Sequence, residues 1–233
     1  NGDPFVEGGR TVTFDGSASQ TLSTVLAGGE TFNNLEINNS GTGLSLASTD
    51  LTISNTLTLS SGNITAGSNT VTLTSTDPDD LSHTSGYIIG KLSRNLNGAY
   101  SGQDYIFPVG TSSYENTATY NFTSIPTPGY LTLEFIASDP GSAGLDLSED
   151  GLTISDQFTD GYWNATRTAL VVGNYDLDLL AYGFDSYSFG SSVRILKRDN
   201  GGNWSLDGSH ADAIDPPPTA YRTGLSTGIS ASS

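Results

Sequence analysis

Apolar and polar residues alternate with a period of two along most of the chain. The stretch LTISNTLTLSSGNITAGSNTVTLT, Leu51 to Thr74, has Leu, Ile or Val at nearly every second position, mostly Thr, Ser or Asn between them, and no charge. In a strand, successive side chains point to opposite faces, so this pattern lays one apolar face against a core and one polar face against water. No segment sustains a 3.6-residue apolar period, so the expected fold class is all-β.

In the first third of the chain the apolar pairs recur. Leu35 and Ile37, Leu44 and Leu46, and Leu51 and Ile53 form one set; Leu57 and Leu59, Ile64, and Val71 and Leu73 form the next, with matching members 20 to 22 residues apart. Val12 and Phe14 begin an earlier set. Short strands repeated every ~20 residues suit a coil whose turns stack and share a narrow aliphatic core, so residues 1–85 are expected to form a β-solenoid, or parallel β-helix. An antiparallel sandwich with tight hairpins also gives short alternating strands. Recurrence of pairs at fixed spacing favours the solenoid.

The pattern breaks at DPDDLSHTS, Asp77 to Ser85, an acidic turn cluster containing proline that suggests a boundary. Beyond it the candidate strands lengthen: GYIIGKLSRNL, DYIFPVGT, NTATYNFTS, GYLTLEFIAS, GLTISDQF, GYWNATRTAL, NYDLDLLAYGF, SVRILKRD and NWSLDG. Residues 86–233 are therefore expected to form an antiparallel β-sandwich of immunoglobulin-like or cohesin-like kind. The final stretch opens with a proline run that cannot occupy a central strand.

Charge narrows the partners. The 233 residues carry 25 Asp and Glu against 8 Lys and Arg, a formal net charge of -17, with no Lys or Arg between Thr11 and Gly90. Binding a phosphate backbone or an anionic lipid surface needs clustered cations, so neither nucleic acid nor a membrane surface is an expected partner. Cysteine is absent, which excludes disulfides, thiolate zinc sites and a cysteine nucleophile. No apolar run approaches the ~20 residues of a membrane-spanning helix, so no membrane insertion is expected. Asn1 does not open a signal peptide; any export signal is expected to have been removed or to lie outside this stretch.

The phrases TFNNLEINNSG, LTISNTLTLSSGNITAGSNTVTL, GYIIGKLSRN, YIFPVGT, LTLEFIASDPGSAGL, DGYW and VRILKRDNGGNWSLDGSH resemble large repetitive surface proteins of Bacteroidota exported by the type IX secretion system. The resemblance runs from about Thr11 to the end. It implies an extracellular or cell-surface location and an adhesive or filamentous role, and it supplies no catalytic residues. Such proteins usually end in a sorting domain, expected here either to have been cleaved or to lie beyond GLSTGISASS.

Candidate chemistry is sparse. His83 sits in the boundary turn and His210 in DGSHAD, both expected as solvated loop histidines. Asp146, Ser148 and Asp150 in DLSEDG occupy alternate positions before Gly151, as in calcium loops, although Gln157 stands where a bidentate Glu would complete such a loop. This is a candidate calcium site or an acidic solvated turn. Trp163 and Trp204, with Tyr162, are candidates for a sugar-stacking platform or for sandwich core. Asn164 and Asn203 open glycosylation-type sequons of a commonplace kind.

These residues point to a non-enzymatic extracellular structural protein, an adhesin or filament subunit. The alternative is a carbohydrate-binding module of a secreted polysaccharide-degrading system. Exposed solenoid ends template further pairing, so self-association into a homopolymer is expected, through Asn1 to Gly9 or by donation of a strand such as Thr219 to Ser230.

Overall fold

A computed structural model of the chain describes residues 8–24, 28–226 and 229–231. Strands β1 (Thr11–Phe14), β2 (Gln20–Leu22), β3 (Glu30–Leu46), β4 (Leu51–Leu73), β5 (Leu81–His83) and β6 (Ile88–Leu96) pair in parallel, turn upon turn. The apolar pairs stack as the spacing predicts. Val12 lies beside Leu35, Leu35 beside Leu57 and Leu57 beside Leu81; a second column runs through Phe14, Ile37, Leu59 and His83. The result is a β-solenoid of about four turns, one more than the three apparent from the repeat.

Strand β4 is long because it travels around the coil. The amide of Thr74, just past its end, donates to the carbonyl of Ile53 near its start at 2.8 Å, closing a full turn. Corners need glycine where stacked backbones touch. At Gly43 (φ 90°), a Cβ would lie 2.0 Å from the carbonyl oxygen of Asn63 on the next turn. Polar corners are satisfied internally: fully buried Asn39 donates to Ala18 O and Gln20 Oε1, both at 2.8 Å, and accepts from the amide of Gly41 at 2.8 Å.

Strand β6 belongs to two systems. One edge is parallel to β4 and the other antiparallel to β10 (Gly129–Ile136), so the solenoid wall continues without a break into antiparallel sheet. Among the described residues the first sheet runs β1-β3-β4-β6-β10-β13-β17, with β13 at Tyr162–Thr168 and β17 at Ser230–Ala231. A second, antiparallel sheet has the order β15-β16-β14-β9-β7, from β7 (Asp104–Phe107), β9 (Ala118–Phe122), β14 (Tyr175–Leu180), β15 (Ser209–Ile214) and β16 (Thr219–Leu225). The short β8 (Val109–Gly110) extends the parallel stack from β6, and β11 (Leu147–Glu149) pairs with β12 (Leu152–Ile154) as a separate hairpin.

Alternation drives the second core as it does the first. Leu131, Leu133 and Phe135 of β10, Ala118, Tyr120 and Phe122 of β9, and Tyr175, Leu177 and Leu179 of β14 are buried, and they are continuous with the solenoid leucines in one cluster. Arg94 stands in register with Leu73, at an inward position of the next turn. It is fully buried, donates to the carbonyls of Ile106 (2.8 Å) and Pro78 (2.9 Å), and lies 5.2 Å from the centre of the Tyr105 ring.

Three expectations change. The stretch Asp77 to Ser85 lies inside the parallel stack: Pro78–Asp80 makes a 3-10 turn with Pro78 buried, and β5 then pairs with β4. Parallel pairing persists to Gly110, because the proline interrupts the alternation without ending the coil. SVRILKRD and NWSLDG form no strand: their backbones share the single Lys197–Ser205 bridge, and side chains join them instead, Lys197 to Asp207 and Arg198 over Trp204. Thr219 to Leu225 is not a spare strand. It is bonded to β14 on one edge and β15 on the other and buries Ala220, Arg222 and Leu225. Asn1 to Glu7, the main part of the other expected contact segment, lie outside the described residues.

Leu57→Ala should destabilise the protein by about 2–5 kcal/mol, and Thr58→Ala by less than about 1 kcal/mol, in chemical denaturation. Equal costs would contradict the inward and outward assignment. Because pairing is continuous through β6, limited proteolysis of the native protein should spare Asp77 to Ser85; an earliest cut there would show that the stretch opens independently of the stack.

Candidate functional site

A cavity of about 700 Å³ opens between β12, β13 and the segment from Phe184 to Trp204. Strand pairing sets one wall, since Trp163 of β13 lies opposite Phe135 of β10. The Trp163 ring stacks on Phe184 (5.4 Å between centroids, 12° between planes) and meets Phe135 edge-on at 5.2 Å. Its indole N–H donates to Asn116 O at 2.7 Å. Trp204 stands on the other segment, where its N–H donates to Gly141 O at 2.6 Å and the Arg198 guanidinium lies 4.5 Å from its ring centre. Both tryptophans are half-buried and line the same cavity; Tyr162 lines it as well.

The DLSEDG segment forms the β11–β12 hairpin. Asp150 (φ 51°) and Gly151 (φ 78°) make its two-residue turn, the Asp-Gly combination that tolerates positive φ at both positions. Asp146, Ser148 and Asp150 are exposed, at alternate positions leading into the turn of the hairpin. Among the described residues no group of three His, Asp or Glu side chains is arranged to hold a metal ion.

The same alternation turns Glu149 inward. Arg222, which is 1% exposed, forks onto it with Nη1–Oε2 at 3.0 Å and Nη2–Oε1 at 2.7 Å, and Arg194 Nε lies 3.3 Å from Oε2. Hydrogen bonds from Arg222 hold the Glu149 carboxyl below the usual carboxylate range, with the Arg222 and Arg194 charges adding to them against the opposing effect of burial. Lys197 pairs with Asp207, whose carboxylate also accepts from the Ser226 amide at 2.8 Å. The hairpin wall, the Arg194–Arg198 segment and β15–β16 are thus tied by ion pairs.

Glu149 is not among the candidate residues of the sequence, whose chemistry points to its neighbours Asp146, Ser148 and Asp150; its place on the same strand face as Leu147 is the available signal. Neither histidine is a solvated loop residue. His83 stacks in β5 with Nε2 3.1 Å from Glu115 Oε1, and the His210 side chain, 6% exposed, has Nε2 3.4 Å from Asp212 Oδ1. Comparison with protein-family models, curated proteins and solved structures gave no match for this chain.

Glu149→Gln should cost roughly 3–5 kcal/mol, because it leaves the buried Arg222 charge without its partner. The wild-type carboxylate is held below its unfolded value, so its contribution is complete above an unfolded pKa of about 4.3 and is lost as pH falls through the lower folded value. The stability gap between wild type and Glu149→Gln should therefore narrow on acidification across that range. A gap independent of pH would show that the mutation acts by some other route.

Proposed function

We propose that this chain is a non-enzymatic extracellular structural protein, an adhesin or filament subunit of a bacterial cell surface. The observation that carries this reading is the stack itself. About four turns of parallel strand, with no Lys or Arg between Thr11 and Gly90, run into an antiparallel domain through the shared strand β6. Such a wall resists bending, since each turn is bonded to its neighbours along most of its length. The second part is read as a sandwich of immunoglobulin-like or cohesin-like kind, and a surface protein of Bacteroidota carried by type IX secretion fits the resemblance of the repeats.

Self-association follows from which edges are free. Among the described residues β1 and β2 pair with no strand but β3, leaving the other edge of this turn open to a further strand. At the opposite end Arg94 donates to the Ile106 carbonyl of β7, and the Tyr105 hydroxyl of β7 donates to Thr76 O. A second copy therefore has one open edge to use. Sedimentation and electron microscopy should show concentration-dependent assemblies, which Thr11→Lys with Thr13→Lys at this edge should disperse. A monomer at millimolar concentration, or assemblies insensitive to both lysines, would remove this route of association.

A second reading is supported by one observation: Trp163 and Trp204 line a single cavity although 41 residues separate them in the sequence. In that reading the chain is a carbohydrate-binding module, with the cavity as its ligand site and the solenoid as its stem. Calcium at Asp146, Ser148 and Asp150 is not needed by either reading.

A further inference from the structure

The distribution of positive charge around the cavity is out of proportion to the chain. Of 8 Lys and Arg in the sequence, Arg194, Lys197 and Arg198 fall within five consecutive positions, and all three line the cavity. Two of them are committed to carboxylates, Arg194 to Glu149 and Lys197 to Asp207. Arg198 is different: among the described residues no carboxylate lies within 4.0 Å of it, and its guanidinium is held over the Trp204 ring. Stacking on an aromatic face leaves the in-plane N–H groups of a guanidinium free to donate in pairs, the geometry that matches a carboxylate. Trp204 is itself fixed by its bond to Gly141 O, so the cation has a defined platform.

From this we infer that the cavity binds an acidic sugar, a uronic acid unit of a polysaccharide, with its carboxylate on Arg198. The inference rests on the carbohydrate-binding reading of the cavity and deepens it by naming the sugar class. A sugar ring offers apolar C–H faces and polar edges at once. The cavity offers the matching pair, aromatic walls at Trp163, Phe189 and Tyr187 and side-chain amides at Asn164 and Asn200. Tyr187 and Asn164 are exposed, so these groups lie on the open side of the cavity. A neutral sugar would leave Arg198 without a counter-charge. In a protein of net charge -17, a cation with no acidic partner in a cavity selects for an anionic group on the ligand. The one acidic side chain lining the cavity, Asp156, disfavours anions generally and makes the position of the carboxylate matter.

The test is isothermal titration calorimetry on the full chain with tetragalacturonate, its methyl ester, a neutral xylotetraose and a glutamate hexapeptide. Tetragalacturonate should bind. Methyl esterification, or Arg198→Gln, should weaken binding on the order of ten- to a hundredfold, as expected for loss of a charge-assisted pair. Arg198→Lys should recover only part, since lysine keeps the charge without the fork. Thermal melts that match wild type would show that these variants are folded. Equal binding of xylotetraose and tetragalacturonate, unaffected by Arg198→Gln, would overturn the acidic-sugar inference and leave the carbohydrate-binding reading standing. Silence toward all three sugars would overturn both, and binding of the hexapeptide alone would assign the cavity to an acidic peptide instead.

Discussion

The placement of Arg94 inside the fold is the constraint on which the rest of the architecture turns. A parallel coil has no natural end: each turn leaves an apolar interior and a row of backbone groups facing whatever follows. At the fourth turn the inward column reaches Arg94, in register with Leu73 one turn earlier. Its guanidinium donates to carbonyls from the turn after Asp77 and from β7, and it faces the rings of Tyr105 and Phe107. Burial lowers its pKa to about 10, which leaves it charged at neutral pH. A buried cation is costly, and here the compensation comes from carbonyl dipoles and aromatic faces at the place where the aliphatic column has to stop.

Because Arg94 is anchored in this way, β6 can serve both sides. Its Leu92 and Leu96 continue the apolar face, while its free edge accepts β10 in the antiparallel sense. The antiparallel sheets then grow from a strand whose register the solenoid has already fixed. Tyr105 shows the coupling directly. Its ring packs in the second core near Phe122, and its hydroxyl donates to Thr76 O in the stack at 2.9 Å.

How much of this was legible varies with the range of the interaction responsible. The solenoid columns were visible because stacking is repetitive: Leu35 and Leu57, 22 residues apart, carry the same chemistry at the same height. Arg94 was legible in principle, alternating with Leu92 and Leu96 in LSRNL, yet a charge at an apolar position looks like an error in the pattern until its carbonyl partners are placed. The turn at Asp77 to Ser85 misled because local composition signals a bend without saying whether pairing survives it. SVRILKRD has the alternation of a strand, but Arg194 and Lys197 are tied to Glu149 and Asp207, and the second of those acids comes ten residues later. Trp163 and Trp204 were individually conspicuous; their meeting at one cavity depends on β13 and a loop, which no local pattern encodes.

The composition takes on a different meaning once the basic residues are placed. A charge of -17 describes the surface well but the interior poorly. Of the Lys and Arg side chains only Arg10 is exposed, while Arg94 and Arg222 are among the largest fully buried side chains of the molecule. In this chain cations act as internal fasteners, closing the solenoid at Arg94 and holding the β11–β12 hairpin through Glu149, and acids do most of the solvating. Truncating one member of a buried pair is costly because its partner is then left uncompensated. Arg198 differs from Arg194, Lys197 and Arg222 in that respect: among the described residues no carboxylate lies within 4.0 Å of it, and its guanidinium rests over the Trp204 ring instead.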